Sequence, residues 1–207
     1  MKKQIIILPA IIVSVLTFNG CKKGDGDPFF SMHSRKARII GEWNVSSGEG
    51  TRSEINVSGT STTTKTTSWT YDGTNKSEAV TVDAGTGSIP TNSNSKFTMT
   101  YEFFKEGKFK TVYTDNNNTI PSITITEGLW NFTDGIGDAK KKSSIVLRSL
   151  SVVSSSGIMT TYDGTKAPTV VFEIYQLKNK EVQLQSSYKT VYGASSDTSE
   201  EKWTLKQ

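Results

Sequence analysis

Side chains that could carry acid–base or nucleophilic chemistry are few in this chain. It contains a single histidine, His33, and a single cysteine, Cys21. His33 lies in a polar segment ahead of the predicted domain, so neither a histidine-based hydrolase triad nor a multi-histidine metal site can form within that domain. The sequence therefore disfavours the commonest classes of hydrolase and metalloenzyme.

Glutamates on predicted strands are the remaining candidates for catalysis. Glu102, Glu127 and Glu173 lie on separate strands, and two carboxylates facing each other would suit glycoside hydrolysis. Strand carboxylates usually point to solvent instead. Residues 134–138 (DGIGD) and 115–118 (DNNN) offer oxygen ligands for calcium, but Asp, Asn and Gly are also the residues that tight turns require. We predict a non-enzymatic protein without a metal ion or cofactor.

Composition and charge exclude further classes of partner. The 207 residues carry 24 basic and 20 acidic side chains, a net charge of +4. A nucleic-acid-binding protein concentrates basic residues on one face, whereas the densest clusters in this chain hold three residues each, so no nucleic-acid partner is predicted.

Serine and threonine make up about a quarter of the chain, and aromatic residues are plentiful, which is typical of a β-rich extracytoplasmic protein.

The first twenty residues have the pattern of a secretory signal peptide. Lys2 and Lys3 form a basic start, and residues 5–18 are almost entirely apolar. This run falls short of the ~20 apolar residues that a transmembrane helix needs, and Pro9 would weaken a permanent helix. We expect the segment to direct export and then to be cleaved.

A lone cysteine follows this apolar run directly. Residues 18–21 read Phe-Asn-Gly-Cys, and Gly20-Cys21 resembles the cleavage site of bacterial lipoproteins. The resemblance implies that Cys21 is diacylated, becomes the mature N-terminus and holds the protein on a membrane through fatty acids such as palmitate. In such lipoproteins an aspartate after the cysteine can mark inner-membrane retention. Lys22 stands there instead, which favours the outer membrane, on either its periplasmic or its surface face.

These patterns divide the chain into three segments. Residues 1–20 are the signal peptide, residues 21–36 are the lipidated N-terminus with a polar tether, and residues 37–207 are one domain. The tether is hydrophilic and glycine-containing, which predicts a flexible spacer. The membrane is therefore an expected partner, reached through the lipid.

The domain shows recurrent period-two alternation of apolar and polar residues, which predicts an all-β fold. One hairpin is predicted over residues 96–115 and another over residues 169–188, with turns at residues 105–108 and 178–180. Further strands are predicted at residues 42–57, 63–71, 122–132, 144–153 and 201–206, and a long loop at residues 83–94. We predict an antiparallel up-and-down β-barrel of eight to nine strands, because closure removes exposed edges; a β-sandwich is the alternative.

Three motifs in this domain resemble those of bacterial lipocalin-like lipoproteins of the Bacteroidota type. Gly41-Glu42-Trp43 opens the first strand after a short basic lead-in and resembles the G-x-W signature of lipocalins. Residues 101–111 (YEFFKEGKFKT) resemble an aromatic strand, glycine turn and return strand, and Gly128-Leu129-Trp130 resembles a later G-x-W strand. The resemblance implies a lipocalin-like barrel. Trp43 and Trp130 are expected to close its base as core aromatics.

A barrel of this size can enclose one small hydrophobic ligand. The candidate interior residues are Phe97, Met99, Tyr101, Phe103, Val170 and Phe172. The alternative is a structural or accessory surface protein whose barrel is packed solid and whose Ser/Thr-rich loops meet a partner. An apolar cavity in the barrel would favour the first function, and a filled interior would favour the second.

Overall fold

The computed structural model describes residues 35–85, 87–134, 143–163 and 165–207. Within these ranges one short helix precedes eleven strands. Their bounds are α1 Arg35–Ile39, β1 Gly41–Ser58, β2 Ser61–Tyr71, β3 Asn75–Asp83, β4 Ser88–Phe103, β5 Lys108–Asp115, β6 Ser122–Asp134, β7 Ser143–Ser154, β8 Met159–Thr161, β9 Thr169–Leu177, β10 Glu181–Tyr192 and β11 Ser195–Lys206. Within these residues no helix is long and apolar enough to cross a membrane.

The strands form one antiparallel sheet that closes on itself. Its order is β6-β5-β4-β3-β2-β1-β11-β10-β9-β7, and β6 pairs with β7 to complete the ring, while β8 lies outside and pairs with β7 alone. Consecutive strands are neighbours almost throughout, because short hairpin turns join them. The all-β, up-and-down barrel is confirmed; it has ten strands in its wall and one outside it, against the eight to nine predicted.

The hairpin of β2 and β3 is inserted between β1 and β4 in part of this wall. At the base of the barrel, residues 41–44 of β1 pair directly with residues 100–103 of β4. From Gly48 onward β1 pairs with β2 instead, and β3 takes over the pairing with β4. The base therefore has eight strands, the ten of the wall without β2 and β3, and the barrel widens away from the base.

Beyond the closed ring the strands of one side continue as a sheet with two free edges. Residues 88–96 of β4 pair only with β3, since the ladder to β5 starts at Phe97. Residues 186–192 of β10 pair only with β11, since the ladder to β9 ends at Gln185. The barrel thus opens at the end opposite its base.

Both hairpins predicted from alternation are confirmed. The β4–β5 pair runs from Phe97 opposite Asp115 to Phe103 opposite Phe109, and β9 and β10 flank the turn at residues 178–180.

The prediction of a long loop at residues 83–94 is wrong. β3 and the first half of β4 form a regular ladder over residues 75–96. β3 is exposed on one face and half-buried on the other, and residues 88–94 of β4 are exposed on both faces, so little apolar alternation marks this part of the chain.

The hydrophobic core fills the barrel from its base upward. The core residues alternate along the strands with outward-facing side chains, as expected for a barrel wall. They are Ile39, Trp43, Val45, Trp69, Tyr71, Phe97, Phe103, Phe109, Trp130, Ile145, Leu147, Phe172, Ile174, Leu177, Val182, Leu184 and Leu205.

Helix α1 is docked onto the base. Arg35 is buried and donates a 2.6 Å hydrogen bond from Nη1 to Oγ of Ser143 in β7. Arg38 donates from Nη1 to the carbonyl oxygen of Leu177 at the end of β9. Arg35 and Lys36 belong to the tether predicted from sequence, whereas the structure places both in this helix.

Candidate functional site

The two G-x-W motifs both lie at the base of the barrel. Trp43 is fully buried and donates from Nε1 to the Ile39 carbonyl at the end of α1, at 2.7 Å. Trp130 is 4% exposed and donates from Nε1 to the Phe104 carbonyl at 2.8 Å. Each indole ring is buried among apolar side chains, and its N–H donates one hydrogen bond. That bond holds a strand against a neighbouring turn or helix. Both side chains are enclosed by the core, so their contribution is structural.

The glycines of these motifs have separate physical reasons. Gly41 has a φ of +126°, a conformation that side-chain-bearing residues rarely adopt, at the junction of α1 and β1. Gly128 has ordinary dihedrals but no room for a side chain. A Cβ there would lie 2.1 Å from the Arg148 carbonyl oxygen and 2.7 Å from the Phe109 ring.

The aromatic interior residues predicted from sequence mostly lie in the core. Phe97, Phe103 and Phe172 are 6%, 2% and 7% exposed, and Met99 and Tyr101 are partly buried against the same cluster. Their rings contact other core rings, since Phe103 lies edge-on to Trp130 at 5.4 Å and Phe97 stacks on Tyr71 at 4.4 Å. Side chains, not empty space, occupy this half of the barrel.

Val170 is the exception among those residues. It lies on the same face of β9 as Phe172 but is 44% exposed. The ladder between β9 and β10 covers only residues 173–177 and 182–185, so β10 no longer flanks β9 beside Val170. The side chain lies at the opening of the barrel.

An aromatic layer lies above the base and was not predicted. Trp69 contacts Trp203 at 4.7 Å between ring centroids, and Tyr71 contacts Trp203 at 6.1 Å. Gly48 and Gly50 on β1 make this possible, because a Cβ at either position would lie 2.5 Å from an indole ring. In the sequence, the signal for this layer was the pair of glycines spaced two residues apart on β1, together with one tryptophan on each of the two neighbouring strands β2 and β11.

Charged side chains cover the inner face of the extended sheet beyond this layer. Arg52 binds Asp197 through two hydrogen bonds of 3.1 and 2.9 Å and contacts Glu54 at 2.8 Å. Tyr188 donates its hydroxyl to Asp197 at 3.1 Å. The hydrogen bonds from Arg52 hold the pKa of the Asp197 carboxyl below its usual value. An apolar molecule entering from this end would meet a charged surface.

The phenol of Tyr101 lies between the core and this charged region. Burial raises its pKa to about 12, and the nearby Glu201 carboxylate contributes in the same direction. The hydroxyl therefore stays protonated at neutral pH.

The strand glutamates that sequence offered for catalysis lie on the outer wall. Glu102 and Glu127 are the ladder partners of Lys110 on its two sides, and Glu173 lies between the buried Phe172 and Ile174. All three alternate with inward-facing residues, so no two of them face each other across the barrel.

A groove of about 600 Å³ lies on the outer wall, midway between base and opening. Two neighbouring rows of outward-facing side chains form its floor. The first row crosses four strands as Gln185, Lys202, Glu49 and Thr70, and the second crosses three as Gln183, Thr204 and Ser47. A smaller groove of about 350 Å³ lies on the outer face of β2, β3 and β4.

Two β-bulges flank the larger groove. On β9, Tyr175 is the extra residue between two that pair with β10, and this residue is 67% exposed beside the second row. On β1, Ser46 is the extra residue, and its hydroxyl donates to the Thr204 carbonyl at 3.0 Å. Bulges bend a strand and re-aim its side chains, so they explain a concavity on the convex outside of a barrel.

The groove is polar but electrically balanced. Among the described residues that line it, Lys202 and Glu49 are the two with charged side chains, and Nζ lies 3.4 Å from Oε1. The remaining polar lining consists of amides and hydroxyls, which both donate and accept hydrogen bonds. The groove was missed from sequence because its residues come from five strands and are ordinary for a solvated wall.

Other predicted positions fall outside the site. Cys21, His33 and residues 135–138 lie outside the described residues. Asp115 accepts hydrogen bonds from the backbone and side-chain nitrogens of Asn117, so this cluster forms a turn. Within the described ranges, no group of three or more His, Cys, Asp or Glu side chains could hold a metal ion.

Comparisons with protein-family models, with curated proteins and with solved structures find no match to this chain.

Proposed function

We propose that this protein is a non-enzymatic lipoprotein of the cell envelope, held on the outer membrane by lipid on Cys21, and that it binds its ligand in the groove on the outer wall. In this proposal the lipocalin-like barrel is a rigid scaffold. The observation that carries it is the contrast between a barrel half filled with aromatic side chains and an outer wall with a concavity of about 600 Å³. Ligand sites commonly have volumes of ~300–1,000 Å³.

The position of α1 supports anchoring through the N-terminus. Helix α1 docks on the base, so residues 21–34 would join the lipid to the base end of the barrel. Fourteen residues reach at most about 50 Å when fully extended. The groove and the barrel opening lie away from the base, so anchoring through α1 would leave both accessible to a ligand.

Carriage of a small hydrophobic ligand inside the barrel is the second candidate. The observation in its favour is that Met99, Tyr101 and Tyr113 are only partly buried above the filled base. Against it, the inner face beyond them carries Arg52, Asp197 and other charges, and desolvating charged groups beside an apolar ligand is costly.

Two measurements test the proposal. Metabolic labelling with a palmitate analogue should mark the wild-type chain and not a Cys21→Ala variant; equal labelling of both would refute the anchor. Native mass spectrometry of the purified protein should show no co-purifying apolar molecule. A bound lipid that is lost in a folded Val170→Arg variant, at the barrel opening, would replace the scaffold proposal with the carrier.

A further inference from the structure

We infer that the groove on the outer wall binds a neutral oligosaccharide. This inference rests on the proposed function and names the ligand class of the same site. The groove offers two rows of polar side chains, one exposed aromatic ring and no net charge. Each of these three properties restricts the ligand.

The rows suit an extended ligand with repeating polar groups. Gln185, Lys202, Glu49 and Thr70 are cross-strand neighbours, so their positions repeat at the ~4.8 Å spacing of strands in a sheet. The second row runs parallel to the first, ~6.7 Å away along the strands. A chain of linked sugar rings presents hydroxyls along both of its edges and can follow such rows.

The amides of Gln183 and Gln185 supply both donors and acceptors. Each primary amide donates two hydrogens and accepts at its carbonyl oxygen, which matches the hydroxyls of a sugar, since these also donate and accept. The two amides lie two residues apart on β10, with the buried Leu184 between them, so both point into the groove.

Tyr175 supplies the apolar surface that sugar rings need. One face of a pyranose is lined by C–H groups and packs on the face of an aromatic ring. Tyr175 is 67% exposed, and the bulge on β9 places it beside the second row, next to Gln183. An exposed tyrosine at the end of two polar rows is what a stacked terminal sugar requires.

The charge balance favours a neutral ligand. Lys202 and Glu49 lie 3.4 Å apart and neutralise each other. A phosphate or carboxylate ligand would need a cation not already engaged, and a cationic ligand would need a carboxylate. A wholly apolar ligand would leave the amides desolvated without partners.

Calorimetric titration of the purified full-length protein with cellohexaose, maltohexaose and chitohexaose tests the inference. At least one should bind with a Kd of about 1 mM or tighter, and 0.5 M NaCl should change that Kd less than threefold. Tyr175→Ala should weaken binding at least about tenfold. The matched control is Tyr192→Ala, because Tyr192 is equally exposed at 70% but lies at a hairpin tip.

The outcomes separate the ligand class from the site. If none of the sugars binds, while the neutral peptide (Gly-Ser)₃ binds in a Tyr175-dependent manner, the saccharide class is wrong and the groove remains the site. If a sugar binds but Tyr175→Ala and Tyr192→Ala leave its Kd alike, the groove is not where it binds. If neither sugars nor peptide bind, both the inference and the proposed groove function fail. Loss of sugar binding in 0.5 M NaCl would show that the charged pair Lys202–Glu49 carries the binding, and would contradict the role of the neutral amide and hydroxyl rows.

Discussion

Replacing Gly128 by alanine should destabilise the barrel strongly, although the change adds only one methyl group. The Cβ of alanine would lie 2.1 Å from the Arg148 carbonyl oxygen and 2.9 Å from its carbon. Those atoms belong to the backbone of β7, which is paired with β6 on one side and with β9 on the other. The backbone cannot yield by rotating a side chain, so the ladder itself must move.

The expected cost follows from that geometry. Overpacking a well-filled site costs about 1–3 kcal/mol, and more when backbone must shift. A carbon and an oxygen in van der Waals contact lie over 1 Å farther apart than the 2.1 Å available here. We therefore expect Gly128→Ala to lower the free energy of unfolding by about 3 kcal/mol. For a domain of this size that corresponds to a fall in Tm of about 6–12 °C.

Urea and thermal unfolding followed by tryptophan fluorescence measure this effect. Gly50→Ala is the graded comparison, because its Cβ would meet the Trp69 side chain at 2.5 Å and not backbone. We expect it to cost about 1 kcal/mol. Glu127→Ala, on the outer wall next to Gly128, is the neutral control and should stay within about 0.5 kcal/mol. A Gly128→Ala protein as stable as the Glu127→Ala protein would refute the reasoning.

Three further variants probe the base, the interior and the inner charged face. Trp43→Phe should cost about 2 kcal/mol or more in urea unfolding, because it removes a buried hydrogen bond to α1 and leaves a cavity; an unchanged midpoint would contradict this. In spectrophotometric titration Tyr101 and Tyr71 should ionise near pH 12, and Tyr101→Phe should remove one such phenol. Because a raised phenol pKa stabilises the fold only below the unfolded value of about 10, wild type should lose this contribution between pH ~10 and 12. The lowered pKa of Asp197 means that its carboxylate stabilises the fold above about pH 4, and this contribution is lost as pH falls further. In Asp197→Asn the free energy of unfolding should therefore fall slightly less steeply with decreasing pH than in wild type. An identical acid limb with Asp197→Asn would show that the Arg52 pairing contributes nothing.

The close contacts at glycine explain why short motifs were informative in this chain. Gly41 and Gly128 each precede a tryptophan by two residues, so glycine and indole share one face of the strand. At Gly128 the missing side chain allows close approach of β7, and Trp130 then reaches the Phe104 carbonyl. The motif therefore marks a close approach of two strands at Gly128, whereas at Gly41 it marks a backbone conformation with positive φ.

Alternation in the sequence was enough for the fold class and for much of the core. Phe97, Phe103 and Phe172 were predicted to face the interior, and the structure places them there, because period-two burial is a local property that each strand carries in its own residues. The same logic failed for the loop predicted at residues 83–94, because residues 88–94 of β4 are exposed on both faces and the ladder with β3 defines the strand there.

Tertiary structure alone decided the rest. Nothing local indicates that β2 and β3 wedge the barrel open, or that β1 closes the ring with β11, because pairing depends on which edges meet. The groove is the clearest case. Glu49 and Lys202 are 153 residues apart in sequence yet meet across neighbouring strands. Outward polar residues carry no periodic signal that distinguishes a binding surface from a solvated wall. The wall becomes concave at the bulges of Ser46 and Tyr175, and these bulges arise from the register between neighbouring strands.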